Sequence, residues 1–580
     1  MDNRQVSQTL ARIADLLEIL GEPTYRAVAY RRAANAIDNL TEPVESVLQS
    51  GSLLELPGIG QTLAQKIHEL VDTGRIEFLE KLESQIPPGV VDLLMISGVG
   101  PKMAGRFYRE LGIESIEALH EACRKQLIRS MKGLGPKKEQ AILQAIEKRM
   151  DHQENMLLHE AEALATEIQE LLQQVDGVRR LQVTGSLRRR KETIKDLDFV
   201  VATDESDAVA EAVRAWPHAQ DLTGGEHKLT FRWGGVHQVD IRLVRPAEFA
   251  STVLHFTGSK EHNVRLRQRA KQLGMQLSEY GLKNERGEVL RAENEEGMYR
   301  LLRLPWIEPE LREDAGEIEA AEAGNLPDLI EHADIRGDLH LHTTWSDGRQ
   351  SILEMARAAC QLGYEYIAVA DHSQSLVVAS GLRLEQLQRQ REEIERVNRQ
   401  LAEESEHPLR VLRSSEVDIK RDGSLDWPDD VLAELDIVVA SIHSSMQLES
   451  EAQTERLLAA IENPHVDIVA HPSGRVLNRR DGYRLDWGKI FRHAAQYRTA
   501  LEINASPHRL DLNSQLARQA REYGVLLVID TDAHHAHEYE NMRFGVWTAR
   551  RAWLRAADVL NTKDLPSLLA WLSSRRQGGT

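Results

Sequence analysis

The last 245 or so residues constrain this chain most, because short apolar runs alternate there with helical patterns seven times over. The runs are GDLHLH, YIAVADH, VLRSSEVDI, IVVASIH, DIVAHP, ALEINAS and LLVIDTDAH, all within 336–580. Such alternation predicts parallel strands joined by crossover helices, and seven units in one stretch suit a closed barrel. Six of the seven runs end in a residue that can hold a metal. These are His340 and His342, with Asp347 in the loop that follows, then His372, Glu416, His443, His471, and the pair Asp532 and His534. In such a barrel the C-terminal strand ends form one face, so residues far apart in sequence converge. A lone His-x-His says little. Ligand-type residues at nearly every strand end predict a metal centre, and nine are too many for one ion, so two or three divalent ions are expected. Imidazole and carboxylate without thiolate suit Mn²⁺, Zn²⁺ or Fe²⁺. Clustered ions acidify water and clamp a phosphoester, so phosphoester hydrolysis is the expected chemistry.

A chain of 580 residues holds about three to five domains. Its two cysteines, Cys123 and Cys360, exclude a disulfide scaffold and thiolate zinc fingers and fit a reducing compartment. No apolar run reaches about 18 residues, and the first residues lack the charged and apolar regions of a signal peptide. A cytoplasmic protein with no membrane partner is expected. The net charge of −19 argues against a phosphate-binding protein. Local patches decide that question, however, and Arg188, Arg189, Arg190, Lys191 and Lys195 cluster.

Residues 1–82 read as helical. Three segments then echo one another: LPGIGQTLAQKI at 56–67, ISGVGPKMAGRF at 96–107 and MKGLGPKKEQAI at 131–142. Each is a hydrophobe, then glycine-hydrophobe-glycine, then a helix, with Gly58, Gly60, Gly98 and Gly100 in the first two. From about 178, strand-like runs replace helices. Within GSLRRRKETIKDLD at 185–198, Gly185 and Ser186 follow a strand and open a turn that presents backbone N–H groups to phosphate. Asp196 and Asp198 fall on one side of the next strand, since strand side chains alternate. Asp240 lies on a later strand. Asp-x-Asp alone is usually a solvated strand edge. Three carboxylates beside a phosphate-binding turn instead predict a two-metal site for phosphoryl transfer.

Two family resemblances attach to these motifs. HLHTTWSDG, ADH, the Glu416 strand, SIH, AHPSGR and DTDAH together resemble the polymerase and histidinol phosphatase (PHP) domain, with all nine ligand positions filled. The GS turn and the three aspartates resemble the nucleotidyltransferase palm of family X DNA polymerases. That likeness continues through HFTGSKEHNVRLR, LSEYGL and LPWIEPELRE, and backward into the glycine repeats, which resemble helix-hairpin-helix motifs. It implies a multidomain α/β protein. A helical N-terminal domain with the first helix-hairpin-helix spans 1–82, and a fingers-like helix-hairpin-helix domain spans 83–150. An α+β palm at 151–245, a thumb at 246–313, a linker at 314–335 and a (βα)7 PHP barrel at 336–580 follow.

The resemblance also implies roles. Asp196, Asp198 and Asp240 would hold catalytic Mg²⁺ or Mn²⁺, with Asp240 nearest the primer 3′-OH. Ser186 and Arg189 would contact the triphosphate, with Gly185 at the turn. His255, Phe256 and Gly258 would line the nucleotide sugar, and Asn263 and Arg267 the nascent pair and template. Lys195 stands where many members have glycine, and His255 where an aromatic residue is common. Lys66, on the helix after the first hairpin, matches the lyase nucleophile of the vertebrate repair member, and Tyr30 matches a residue of that pocket. Thr62, Phe78 and Arg26 replace lysines there, so less pKa depression is expected. The plain alternative is that Lys66 contacts backbone phosphate.

The activity implied is a DNA-directed DNA polymerase that fills short gaps in repair, with a 3′→5′ exonuclease and abasic-site cleavage in the PHP domain. Its partners would be gapped or primer-template DNA and dNTPs, and it would act as a monomer. Two rivals stay open: a DNA-end binding scaffold with a PHP phosphoesterase, and a small-molecule phosphatase fused to a degenerate palm.

Overall fold

The computed structural model describes residues 3–38, 44, 47–48, 52–56, 59–96, 98–376, 379–405 and 408–577. The chain divides into two compact units, 1–153 and 154–580.

The first unit is helical, and its three glycine repeats fold alike. Ile59, Val99 and Leu134 donate their amides to Leu56, Ile96 and Met131 at 3.2, 3.0 and 3.0 Å. The glycine that follows each, Gly60, Gly100 and Gly135, accepts from the first helical turn, at Ala64, Ala104 and Glu139. The helices Gln61–Thr73, Pro101–Leu111 and Pro136–Glu154 thus start in the same way. Ile59, Val99 and Leu134 are buried and anchor each hairpin to one shared core. Gly98 sits at φ +87°, a left-handed conformation that only glycine adopts freely. Gly58 of the first repeat lies outside the described residues.

In the second unit, a five-stranded sheet has the order Val178–Val183, Asp196–Thr203, His237–Val244, Lys228–Trp233, Ala219–Gly225. Only Asp196–Thr203 and His237–Val244 run parallel. Alternation divides their side chains. Leu197, Phe199, Val201, Val239, Ile241 and Leu243 enter a core with the helices Leu158–Gln173 and Ser206–Ala215. The opposite face carries Asp196 and Asp198. Further along that face, Val200 and Ala202 pack on Phe249 and Val253 of the helix Phe249–Thr257.

A separate core joins the helices Lys260–Gln272 and Glu295–Leu301 to Glu317–Ala323. The stretch 314–335, whose composition suits a linker or connecting helix, holds the helix Glu317–Ala323, and its Ile318 and Ala321 belong to this core. Glu317 also accepts a 2.6 Å bond from the buried His262. The Ala-rich acidic composition that reads as a connector supplies one apolar helix face here.

The C-terminal strands are Gly337–Leu341, Tyr366–Val369, Arg410–Arg413 continued by Glu416–Asp418, Val439–Ser441, Ile468–Val469, Ala500–Asn504 and Leu527–Asp530. All pairings are parallel. A parallel bridge between Leu341 and Ala533 joins the last strand to the first, so the barrel closes. Tyr366 and Ala368 point inward, whereas Ile367 and Val369 point to the helices. Leu568 and Leu572 of the helix Leu565–Gln577 plug the interior. No helix among the described residues is long and apolar enough to cross a membrane.

Candidate active sites

In the palm, Asp198 stands in register with Asp240 on the neighbouring parallel strand, and Asp196 with Gln238. The three carboxylates thus share one sheet face. Burial, reinforced by Asp196 and Asp240, pushes the Asp198 carboxyl up to about 7, against the pull of Lys228 and Arg242. A cluster that protonates this readily is short of positive charge, and divalent cations would supply it. Asp240 accepts from Thr230 Oγ1 at 2.6 Å and from Lys228 Nζ at 2.9 Å. Gly185 sits at φ +63°, and a side chain there would strike the Asp198 carboxylate. The GS turn and the aspartates are therefore one constellation.

The basic run behaves differently from its sequence reading. Arg189, expected on the triphosphate, is buried, with Nε bonded to Glu313 at 3.0 Å and Nη1 to the Thr257 carbonyl at 2.6 Å. Arg188 bonds Thr257 Oγ1 and Glu295. Arg190 stacks 3.7 Å from the Trp547 ring. The three guanidinium groups tie the palm to its neighbours. Asn263 donates to the His255 carbonyl at 2.6 Å and holds the end of the helix Phe249–Thr257. Phe256 lies beneath the Arg242 guanidinium at 4.5 Å, Gly258 follows at φ +71°, and Arg267 is exposed.

The barrel gathers all nine expected ligands at one mouth. His342, Asp347, His372 and His534 form one group, His340, His342 and Asp532 a second, and His372, Glu416 and His443 a third. His471 Nε2 stands 3.0 Å from Glu416. Burial, with His372 and His534 alongside, drives the His342 imidazole down to about 3. Burial also opposes charge on His340, but Glu502, Glu416 and Asp532 outweigh it and hold that ring well above its usual range. His342 Nδ1 is buried with no hydrogen-bond partner, and Glu416 Oε2 meets only imidazole nitrogens, His372 Nδ1 nearest at 2.8 Å. An orphaned ring nitrogen in a buried His–carboxylate cluster fits divalent metal ions. His471 and Asp532 adopt positive φ, at 29° and 55°, the kind of backbone strain that collects at functional sites.

Sequence reasoning missed the residues that aim these ligands. Glu502 Oε1 accepts from His340 Nδ1 at 2.7 Å, and Oε2 from the His471 amide at 2.5 Å. Asp418 lies 3.1 Å from His443 Nδ1. Both fix ring orientation and tautomer. The signal available was ALEINAS, the one strand run without an assigned ligand, which carries Glu502.

In the first unit, Lys66 is half-buried, with Nζ 3.3 Å above the Phe78 ring and 5.8 Å from Tyr30. Burial, opposed by Glu69 and assisted by Arg26, lowers its ammonium to about 8. Apolar walls achieve the depression that a thinned set of cations was not expected to give.

Comparisons with known proteins agree with this division. Models of a helix-hairpin-helix domain and a SAM-like helix-hairpin-helix tandem match residues 1–76 and 90–148. Those of the DNA polymerase beta thumb and the PHP domain match 252–313 and 338–506. The chain is 40% identical over 576 residues to the DNA polymerase/3′-5′ exonuclease PolX of Bacillus subtilis (strain 168), covering 99% of each. It is 27% identical over 342 residues to DNA polymerase lambda of Rattus norvegicus, covering 54% of this chain and 56% of that one. A probable phosphatase of Thermoanaerobacter sp. (strain X514) is 29% identical over 251 residues, 41% of this chain and 95% of its own.

Proposed function

The chain belongs to the family X DNA polymerases that carry helix-hairpin-helix and PHP domains, and on that footing we propose that it fills short gaps in DNA during repair and trims 3′ ends in its barrel. Asp198 in register with Asp240 beside the Gly185 turn, in the same compact unit as the nine-residue cluster, carries this proposal.

In the palm, Asp196, Asp198 and Asp240 would hold Mg²⁺ or Mn²⁺. At the barrel mouth the nine ligands would hold two or three ions among Mn²⁺, Zn²⁺ and Fe²⁺. When bound, these ions supply charge to the phosphoryl oxygens and acidify the attacking group. Asp240, fixed by Thr230 and Lys228, would lie nearest the primer 3′-OH and favour loss of its proton to solvent or to the carboxylate. The 3′-oxygen then attacks the α-phosphorus and pyrophosphate leaves. The amides of the Gly185–Ser186 turn receive the triphosphate, and His255, Phe256 and Gly258 border the sugar. In the barrel, water attacks the terminal phosphodiester and a nucleoside monophosphate departs. Glu502 and Asp418 stand at Nδ1 of His340 and His443 and so turn the other ring nitrogen of each toward the metal site.

Residues 1–82 and 83–150 would grip the DNA backbone, with Gly60, Gly98 and Gly100 at the hairpin tips. Residues 151–245 would carry nucleotidyl transfer, 246–313 with the helix Glu317–Ala323 the nucleotide-covering part, and 336–580 the hydrolysis. The protein works as a cytoplasmic monomer in this scheme. The burial of Lys66 favours a second activity, attack of its free amine on the aldehyde of an abasic sugar.

A gapped duplex incubated with and without dNTPs, using protein of measured metal content, tests the proposal. Extension with dNTPs and shortening from the 3′ end without them are expected. Binding with neither reaction would instead identify a DNA-end scaffold. Hydrolysis of p-nitrophenyl phosphate alone would identify a small-molecule phosphatase.

A further inference from the structure

Two loops that each border one of the active sites are joined by a single ion pair. Arg475 Nη1 and Nη2 donate to Glu192 Oε1 and Oε2 at 3.0 and 2.6 Å. The two residues are 283 positions apart, and the Arg475 side chain is only 12% exposed. A planar guanidinium fork meeting both oxygens of one carboxylate fixes direction as well as distance.

On the barrel side, Arg475 comes four residues after the ligand His471. The amides of Ser473 and Gly474, between them, donate to the buried Asp511 at 3.1 and 2.9 Å. Arg475 also donates to the carbonyl of Leu510, the residue before Asp511. The Asp511 carbonyl accepts from the Asn504 amide at 2.6 Å. Asn504 Nδ2 then donates to the ligand Asp532 at 3.1 Å and to Glu502 at 3.2 Å. An unbroken series of bonds therefore leads from Arg475 to Asp532, and through Glu502 to His340.

On the palm side, Glu192 comes four residues before Asp196. Its carbonyl accepts from the Leu158 amide, and Thr193–Ile194 pairs with Met156–Leu157 directly after it. The same loop leans on the barrel elsewhere, through Arg190 on Trp547 and through the Arg189 carbonyl, which accepts from Arg551. Leu510 and Phe544 of the barrel complete the palm core. Neither Glu192 nor Arg475 is among the nine barrel ligands or the three palm aspartates.

We propose that Glu192 and Arg475 are positioning residues shared by both sites, the pair holding the Asp196 strand and the His471 loop in working geometry at once. This rests on the two activities proposed above. Small misplacement of a reacting group costs orders of magnitude in rate, so loss of the pair harms nucleotide addition and 3′ hydrolysis together, although it touches neither substrate.

The test uses the full chain with Glu192→Gln, which keeps size and some hydrogen bonding, and Arg475→Lys, which keeps charge but loses the fork. The unaltered chain must show extension and 3′ hydrolysis; absence of either overturns both the underlying function and the pair. With both present, each variant should lower both maximal rates about tenfold, with the KM for DNA little changed. The decisive result is the cross-effect, slower extension from the barrel substitution and slower hydrolysis from the palm one. A bond that only stabilises the fold would lower Tm and leave both rates, read well below that Tm, within about twofold; that result, or one activity unaffected in either variant, overturns the proposal. Should a single variant not fold, the charge-reversed pair Glu192→Arg with Arg475→Glu decides: rates below those of the unaltered chain by less than either single reversal support the pair, and no recovery rejects it.

Discussion

Asp198 and Asp240 face one another in register on adjacent parallel strands, while their counterparts in the barrel, His340 and His342, stand on the first strand of a different sheet and its edge. The two chemistries thus have separate ligand sets within one compact unit. Asp240→Ala should lower nucleotide addition on the order of a thousandfold, the rate equivalent of several kcal/mol of lost charge stabilisation. Its 3′ hydrolysis should persist. His340→Ala should do the reverse. Primer extension and 3′-end release, measured on the same preparations, check both. Loss of both activities in either folded variant would contradict the assignment.

Glu502 sits behind the nine-residue barrel cluster rather than within it. Glu502→Gln removes the acceptor of the His340 Nδ1 proton and weakens the hold on the His471 amide. Metal retention after dialysis should fall roughly 10- to 100-fold, with hydrolysis falling alongside it. Extension by the palm should change little. Elemental analysis against rates separates the two effects, and full metal content with full activity would remove Glu502 from its orienting role.

Much of this arrangement was readable in the sequence, because barrel strands announce themselves by apolar runs and their ends by ligand-type residues. His340 through His534 needed only that logic. Glu502 and Asp418 were hidden for a physical reason: a carboxylate that aims a histidine looks, in sequence, like any polar residue on a strand. The arginines at 188–190 misled the local reading in the opposite direction. Their clustering resembles a phosphate site, but Arg188 and Arg189 are bonded to Glu295 and Glu313, 107 and 124 positions away. Only the folded chain brings those carboxylates close. The packing of the helix Glu317–Ala323 was obscured likewise, since its buried face is Glu317, Ile318 and Ala321 amid further charged residues.

The barrel floor makes a stability prediction independent of both chemistries. Asp467 is fully buried and accepts from Arg575 at 3.3 Å, Arg576 at 2.9 Å and the Val438 amide at 2.9 Å. Arg575 is itself only 2% exposed. Asp467→Ala leaves that guanidinium buried without its carboxylate, at a cost of about 3–5 kcal/mol. Urea unfolding of the barrel transition should shift accordingly. Replacing Arg576, the more exposed partner, should cost markedly less. Equal losses from the two substitutions would show that burial does not set the cost.

Lys66 offers the sharpest pH test. A Schiff base forms only from the free amine, and burial has lowered this ammonium to about 8. The sign is therefore fixed: protonated lysine predominates below about 8, and the reactive form rises with pH until it saturates above that value. At neutral pH roughly one amine in ten is free, against roughly one in a few thousand for an ordinary lysine. Borohydride trapping on a 5′-incised abasic duplex should yield a covalent adduct whose initial rate climbs about tenfold per unit at low pH and levels off near 8 to 9. Lys66→Ala should abolish the adduct, whereas Lys66→Arg should restore DNA binding without trapping. If Lys66 serves only as a backbone phosphate contact, the unaltered protein will give no adduct at any pH, and Lys66→Ala will weaken DNA binding and reduce its salt dependence by about one counterion.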